Sequence, residues 1–348
     1  MALKPPPLKA PPHLLCDWIE LRTIATPLGH YRLGSLKRAW DVSRESEDSD
    51  PEGFTGRETD TDVEGVSGAD EDAFLDAITD EIGDRIQALG DTYPFVLDHG
   101  NLLRVVEPSS MGGYVYLFCL LLTYSTGGEL FDGSWYPDVT HTTRDLFQAC
   151  STVAAAGEVR GCAISFGWPR PNGNPPFLRR LAQVYALFGE GTVVSKPRRG
   201  VSPCPKDEEI DVIAWRPRAD RAAGTEYLLG QVASGGDWMS KPIHGAPIDT
   251  FHRNWFEPPP ASPAKGSIFI PRLVEPIDLN GTRRDRMDAI TARYGVIVDR
   301  LRLPRLMQEG LALSLTDRHN ITVERIDDLE KISRWVLVQI RALHQATP

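Results

Sequence analysis

Two stretches that each contain an apolar run, one opened and one interrupted by a polar residue, decide the fold of this chain. They read Lys206-Asp-Glu-Glu-Ile-Asp-Val-Ile-Ala-Trp215 and Tyr227-Leu-Leu-Gly-Gln-Val-Ala-Ser-Gly-Gly-Asp-Trp-Met-Ser-Lys241. Asp211 opens the first apolar stretch, and Gln231 lies inside the second. The residues between them suffice for a strand, a turn and a return strand. The pattern therefore predicts neighbouring strands that bring Asp211 and Gln231 side by side.

A glutamine inside an apolar strand needs a hydrogen-bonding partner, which is either the core or a ligand. Carboxylate and carbonyl oxygens are the ligands that Mg²⁺ prefers when it activates water against a phosphodiester. Asp211 and Gln231 are thus candidate ligands of Mg²⁺, with Mn²⁺ as its substitute. Glu209 alternates onto the face of Asp211 and is a further candidate. The alternative is a plain acid at a strand start beside a glutamine satisfied by the core.

The surrounding sequence predicts further elements by the spacing of its apolar residues. A helix is expected over residues 177–188, and some helix around residues 238–256. Strands are expected at 192–195, 210–215, 227–232 and 267–270. This order is helix, strand, strand, strand, helix, strand.

The layout resembles the PD-(D/E)xK nuclease superfamily, in particular the branch of Mrr-type restriction enzymes and Holliday-junction resolvases. The resemblance covers about residues 175–275. It implies an α/β (α+β) fold: a restriction-endonuclease-like α-β-β-β-α-β core with a mixed central sheet, between helical N- and C-terminal extensions. The same stretch looks like bacterial proteins associated with phage defence.

The resemblance also implies roles for single residues. Asp211 matches the first metal-binding acid, and Gln231 matches the (D/E/Q) position of the third strand. Glu190, at the end of the 177–188 helix, stands in for an acid borne on that helix.

One position departs from the family pattern, because the usual lysine two residues after Gln231 is Ala233. That lysine orients the attacking water or stabilises the charge that develops on the phosphate. Lys241 follows in the next segment and is the candidate for a displaced lysine. Without a lysine at the site, the fold would bind DNA or a partner protein without cutting.

The function implied by the resemblance is Mg²⁺-dependent hydrolysis of DNA, with duplex DNA as the first candidate. It fits the nuclease component of a bacterial anti-phage or restriction system. An ATPase or helicase, another defence subunit, or a second copy of the chain would be compatible partners. Lys196, Arg198 and Arg199 form a basic cluster suited to phosphate contacts. A solvated loop is the alternative interpretation of that cluster.

The net charge of −10 belongs to one segment. Residues 43–72 carry twelve acidic and two basic residues, so the rest of the chain is neutral. A nucleic-acid function is therefore not excluded by charge. The segment is expected to be a disordered, solvated linker. Its alternative role is to occupy a basic groove as a DNA mimic.

The chain is divided by changes in composition and hydropathy pattern. Helices are expected over residues 74–89, 143–156, 284–303 and 327–343. The expected regions are 1–42 (an unfolded lead-in over residues 1–12, then a short helix), 43–72 (acidic linker), 73–174 (mostly helical), 175–275 (nuclease-like core) and 276–348 (helical).

The five cysteines are scattered and include no CxxC pair, which argues against a disulfide framework and a zinc ribbon. The longest apolar run, residues 114–124, is too short to cross a bilayer. Residues 1–12 lack the apolar core of a signal peptide. The expectation is a cytoplasmic protein with no membrane partner.

Overall fold

The structure is a computed structural model that describes most of the chain. The described residues are 2–8, 10–36, 38, 68–126, 128–171, 173–202, 205–220, 222–276, 282–317 and 319–347. The acidic segment 43–72 lies outside them, except that a helix begins at Gly68. The expectation of a linker therefore fails for the residues from Gly68 onward.

Helices and strands alternate along most of the described part of the chain. The helices are Pro12–Ala25 (α1), Gly68–Leu89 (α2), Met111–Thr123 (α3), His141–Val159 (α4), Phe177–Phe188 (α5), Ala246–Trp255 (α6), Arg283–Tyr294 (α7), Leu303–Thr316 (α8) and Leu329–Ala346 (α9). The strands are His30–Arg32 (β1), Phe95–Asp98 (β2), Leu102–Val105 (β3), Cys162–Ser165 (β4), Val212–Trp215 (β5), Tyr227–Val232 (β6), Ala264–Phe269 (β7) and Val296–Val298 (β8). The architecture is mixed α/β, as the sequence predicts.

The central feature is a five-stranded mixed sheet of order β4-β5-β6-β7-β8. Strands β4, β5 and β6 form an antiparallel meander, with Val212 opposite Gly230. Helix α6 then connects β6 to β7, which lies parallel to β6, and α7 connects β7 to the parallel β8. A smaller antiparallel sheet, β1-β3-β2, lies in the N-terminal region.

The central sheet is buried on both faces because alternate side chains pack on different layers. Val212, Leu228 and Phe269 join the core that α1, α3, α4 and α9 help to form. Ile213 and Leu229 join the second core with α5, α6 and α7. Burial on both faces explains why the sequences of β5 and β6 are almost entirely apolar.

Helices α4 and α8 cross with their backbones in contact. A Cβ on Gly157 would lie 2.0 Å from the Leu306 carbonyl oxygen, and one on Gly310 would lie 2.0 Å from the Val153 carbonyl oxygen. Only glycine fits at either position. This crossing fixes α4, and with it the residues that α4 presents near Asp211.

Several expected elements are confirmed. The helix over 177–188 and the strand over 227–232 have the expected bounds, and the strand expected over 210–215 is β5. The strand expected over 192–195 is wrong, because this segment makes only the single bridge Val193–Phe256. The strand at the edge of the sheet is instead β4, whose four residues are too short a run to predict.

The helix expected over 284–303 is only half correct, because α7 ends at Tyr294 and β8 follows. The break is Gly295, whose φ is +67° and whose Cβ position lies 2.1 Å from the Gly266 carbonyl oxygen. Apolar spacing alone does not separate the last turn of a helix from a three-residue strand. The central sheet therefore extends beyond residues 175–275 at both ends.

The unfolded lead-in expected over residues 1–12 is also wrong. Ala2 and Leu3 are buried, and Leu3 pairs with Phe131. The Ala2 N–H donates to the Ala346 carbonyl oxygen at 3.2 Å. Proline disfavours helix but permits an extended chain, so this segment can lie against the C-terminal helix.

The apolar run 114–124 is the fully packed helix α3. Cys119 on this helix is buried, and the four cysteines that the structure describes are free thiols. Among the helices described, none has the length and apolar character needed to span a bilayer.

A buried ionic network joins the N-terminal helices to the end of the sheet. Asp17 and Glu20 lie on α1, Arg85 on α2, and Arg300 follows β8; all four are buried. Arg85 Nη1 lies 2.6 Å from Asp17 Oδ1 and 2.9 Å from Glu20 Oε1. Arg300 pairs with the same Asp17 carboxylate, and Tyr116 donates its hydroxyl to Glu20.

The pKa values of the two acids in this network shift in opposite directions. Burial alone would raise the pKa of Asp17, but Arg300 and Arg85 hold it at about 2. Burial raises the pKa of Glu20 above its usual value although Arg85 opposes the shift. Asp17 is the acid that both arginines contact, and Arg85 also pairs with Glu20.

Replacing Arg300 with methionine should lower the free energy of unfolding by about 3–5 kcal/mol, because it leaves buried carboxylates short of a cation. The matched control is Arg305→Met, which removes an exposed pair with Glu309 (3.2 Å) and should change stability by less than about 1 kcal/mol. Urea unfolding of both variants measures the difference. Equal effects would contradict a special role for the buried network.

Candidate functional site

Asp211 and Gln231 lie at one end of the central sheet, where β4 and β6 end and β5 begins. The Asp211 N–H donates to the Gly230 carbonyl oxygen at 2.8 Å. Its carboxylate Oδ2 accepts from the Val232 N–H at 2.7 Å. Asp211 thus bonds to both chain neighbours of Gln231, which places the two residues side by side as the sequence predicts.

At Gly167, a third side chain, that of Gln148, comes close to the Asp211 carboxylate. The Phe166 and Gly167 N–H groups both donate to the Asp211 carbonyl oxygen, at 2.7 and 3.0 Å. A Cβ on Gly167 would lie 2.5 Å from Asp211 Oδ1 and 2.4 Å from Gln148 Nε2. Gln148, on α4, is therefore a neighbour of the carboxylate that the sequence did not single out. Its only signal was its place on an amphipathic helix.

Gln148 is held by a chain of polar contacts. Its Nε2 donates to Ser165 Oγ at 3.0 Å, and the Ser165 N–H donates to Glu324 Oε2 at 3.1 Å. Arg180 on α5 pairs with Glu324 and also donates to the Ser165 carbonyl oxygen. The segment before α9 thereby fixes the position of the first strand of the sheet.

The carboxyl group of Asp211 is easily protonated. Burial raises its pKa to about 7, and the charges of Asp207 and Glu209 add to the rise. The Val232 N–H and the ammonium of Lys241 oppose it. Near neutral pH this carboxyl therefore exchanges a proton readily, and a cation beside it would favour the anion.

Gln231 has a buried acceptor without a partner. The residue is 5% exposed, and its Oε1 accepts no hydrogen bond from any residue that the structure describes. An unpaired buried acceptor costs about 1–3 kcal/mol, so native proteins keep few of them. The amide oxygen of Gln231 is thus open to a donor or a cation.

Lys241 and Glu209 both lie near Asp211 but differ in their surroundings. Lys241 follows a short 3₁₀ turn, Trp238–Ser240, and is half-buried. Within the described part of the chain, the ammonium of Lys241 forms no hydrogen bond or ion pair. Glu209 is exposed in a left-handed turn, with a φ of +65°.

Glu190 is not part of this site, which corrects its assignment as a metal ligand. Its carboxylate accepts from Ser262 N–H at 2.8 Å and Ser262 Oγ at 2.7 Å. Ser262 Oγ in turn accepts from Gly224 N–H and Thr225 N–H, just before β6 begins. At about 3.3 Å per residue, the length of β6 separates Glu190 from Asp211 by roughly 20 Å.

The basic cluster Lys196, Arg198 and Arg199 also lies away from Asp211. Arg198 donates to the Phe256 carbonyl oxygen at 2.8 Å and pairs with Glu257 at 3.3 Å. These partners follow α6, at the end of the sheet where β6 starts. Lys196 and Arg199 are exposed there, so the cluster and the Asp211 site occupy opposite ends of the sheet.

No family model, curated protein or solved structure matches this chain. The geometry of the site itself therefore carries the functional argument.

Other cations lie at the Asp211 end of the sheet. Arg144 donates to Ser234 Oγ at 3.4 Å, just after β6. The Lys206 ammonium lies 5.1 Å from the ring centre of Trp168. Because Arg144 and Lys206 lie in distant parts of the chain, no local run of sequence predicted their grouping.

The donor atoms at the site restrict the metal that it could hold. No cluster of three or more His, Cys, Asp or Glu side chains suited to a metal occurs among the residues described. Asp211 Oδ1 and Gln231 Oε1 are hard oxygen donors, and the second has no other partner. Mg²⁺ accepts one or two carboxylates and keeps several waters, so this pair fits Mg²⁺ or Mn²⁺ better than Zn²⁺.

Replacing Asp211 with asparagine should stabilise the protein in a pH-dependent way. The folded pKa of Asp211, about 7, exceeds its ordinary value of 3.8, so its ionisation costs stability as pH rises between these values. Relative to wild type, the free energy of unfolding of Asp211→Asn should rise by about 2 kcal/mol from pH 5 to pH 7 and level off above pH 7. Urea unfolding in EDTA measures it, and a pH-independent difference would contradict the buried carboxyl.

Replacing Gln231 with leucine tests the unpaired acceptor. The change removes a buried oxygen without a partner, so the free energy of unfolding should stay within about 1 kcal/mol of wild type or rise. Gln339→Leu is the matched control, because Gln339 is equally buried but accepts from the Asp138 N–H at 2.9 Å. The control should lose about 1–2 kcal/mol more. A larger loss at Gln231 would show a partner in the core.

Proposed function

We propose that this protein is a metal-dependent DNA endonuclease with a restriction-endonuclease-like core. The observation that carries the proposal is the pairing of Asp211 with the segment around Gln231, at the start of one strand and the end of the next. The PD-(D/E)xK superfamily holds its metal with side chains at these two places. The proposal extends to duplex or otherwise structured DNA and to a role in bacterial defence or restriction, which rest on the resemblance alone.

The order of elements supports the proposal in a shifted form. The succession is α4, β4, α5, β5, β6, α6, β7, which matches the α-β-β-β-α-β order if α5 is an insertion between β4 and β5. Its first three strands are antiparallel neighbours, and β7 lies parallel to β6. Its first helix and strand are 141–159 and 162–165 rather than 177–188 and 192–195. In this alignment α4 is the helix that reaches the site, and Gln148 takes the place that Glu190 was expected to fill.

The residues at the site can divide the work of hydrolysis. Asp211 Oδ1 and Gln231 Oε1 would hold a Mg²⁺ ion, which supplies an acidified water and neutralises charge on the phosphate. Asp211 would have to lose its proton to hold the metal, and its pKa of about 7 leaves part of the carboxyl ionised at neutral pH. The free ammonium of Lys241 would stabilise the negative charge that develops on the phosphate oxygens. Arg144 would contact a neighbouring phosphate.

A second candidate is a subunit that binds DNA or a partner protein without cutting. It is favoured by Ala233, which is buried at the position where the family carries its lysine and donates its N–H to the Phe269 carbonyl oxygen. The methyl group of Ala233 is too short to reach a phosphate. The two candidates therefore differ in whether the ammonium of Lys241 replaces the missing lysine.

Replacing Asp211 with alanine should abolish Mg²⁺-dependent cleavage of plasmid DNA, and Lys241→Met should slow it by about 10²–10³-fold. Glu257→Gln, an exposed acid at the opposite end of the sheet, is the control and should cleave like wild type. Mn²⁺ should raise the melting temperature of wild type but not of Asp211→Ala, which reports binding without cleavage.

Three outcomes distinguish the candidates. Cleavage that survives Asp211→Ala contradicts the proposed site. Absence of cleavage in wild type, with DNA binding that weakens steeply with salt, supports the binding subunit. Cleavage lost in Asp211→Ala and reduced in Lys241→Met supports the endonuclease.

A further inference from the structure

Trp168 is exposed beside the candidate site. It directly follows Gly167, whose backbone contacts Asp211, and its own N–H donates to Asp207 Oδ2 at 3.2 Å. The residue is 48% exposed, whereas each other tryptophan that the structure describes is buried or half-buried. Its backbone is thus tied to the loop before β5 while its indole ring faces solvent.

An exposed indole ring presents a flat aromatic surface on which another ring can stack. Trp215 and Trp238, in contrast, are packed in the core. Lys206 holds its ammonium 5.1 Å from the centre of the Trp168 ring, which adds a positive charge beside the aromatic surface. Aromatic rings interleaved with cations are the pattern that binds single-stranded nucleic acid.

We infer that the ring of Trp168 is a stacking platform for an unpaired nucleobase, with Lys206 beside it for the backbone phosphate. This inference deepens the proposed function and rests on it, because it names the substrate class of the same site. Bases inside a continuous B-form duplex stack on each other and offer no free face to the protein. The substrate is therefore a strand with at least one unstacked base, as in single strands, loops, frayed ends and branched DNA.

The position of Trp168 also places the base relative to the reaction. Because Gly167 contacts Asp211 and Trp168 is the next residue, a base on this ring belongs to the nucleotide at or next to the phosphate facing Asp211. Stacking of this kind tolerates any base, since every base has an aromatic face. Trp168 would select for an unpaired nucleotide rather than for a sequence.

The cations argue against an uncharged ligand. A neutral sugar also stacks on tryptophan, but it gains nothing from Lys206 and Arg144, which lie at the same end of the sheet. A polyanion with aromatic bases uses both features. Nucleic acid is therefore the ligand class that accounts for the ring and the charges together.

The test is binding of a short, fluorescently labelled oligo-dT and of a blunt duplex by the full-length chain, in EDTA so that no cleavage is read. Wild type should bind oligo-dT more tightly than the duplex. Trp168→Ala should weaken oligo-dT binding by about 5- to 100-fold, the equivalent of losing one base stack. Trp168→Phe should retain most of the affinity, because it keeps an aromatic face.

Two further variants sharpen the result. Leu28→Ala removes the side chain of another exposed apolar residue, which is 76% exposed, and should bind like wild type. Lys206→Ala should weaken binding of both probes and reduce its salt dependence. Unchanged oligo-dT affinity in Trp168→Ala, equal losses in the alanine and phenylalanine variants, or equal losses for oligo-dT and duplex would each overturn the inference.

The failure of this inference can be distinguished from failure of the proposed function. Binding without cleavage requires Trp168 but not Asp211, so a protein that does not cut can still show the selective loss in Trp168→Ala. Conversely, Asp211-dependent cleavage of duplex DNA with equal activity in Trp168→Ala would keep the endonuclease and remove the stacking platform.

Discussion

Two arginines form ion pairs with the buried carboxylate of Asp17, and the rest of the structure depends on this interaction. Arg85 reaches it from α2 and Arg300 from the end of the central sheet, so one anion joins the N-terminal helices to the last strand. Each group lies in the interior, where a charge without its partner is strongly destabilising. The network therefore connects helices α1 and α2 to the residues that follow the last strand of the sheet.

The candidate site lies where the antiparallel strands β4, β5 and β6 meet at one end of the central sheet. Because β5 runs against β4 and β6, its first residue meets the ends of both neighbours. Asp211 uses its backbone to bond β4 and its side chain to complete the ladder of β6. The same carboxyl is thus a structural group whose pKa burial raises to about 7, while the hydrogen bond from the Val232 N–H opposes the rise.

Sequence reasoning reached the local features of this site better than the distant ones. Asp211 and Gln231 were found because a polar residue in an apolar run has few explanations. Gln148, Arg144 and Trp168 were missed, since only the fold brings them to the site. Glu190 was misplaced because helix α5 was taken as the first helix of the core, when β4, too short to show a pattern, had already begun the sheet. The pattern of apolar residues therefore predicted the middle strands of the sheet. It failed at the edge, where Gly295 ends helix α7 and β8 begins although the apolar spacing continues.

The glycine crossing of α4 and α8 has a consequence for how variable the molecule can be. Where side chains set the spacing of two helices, a larger or smaller residue shifts them by a fraction of an ångström and the core repacks. At Gly157 and Gly310 the spacing is instead set by main-chain atoms, which every sequence shares. The helix that carries Arg144 and Gln148 therefore keeps a fixed distance from the C-terminal region while its remaining surface is free to diverge.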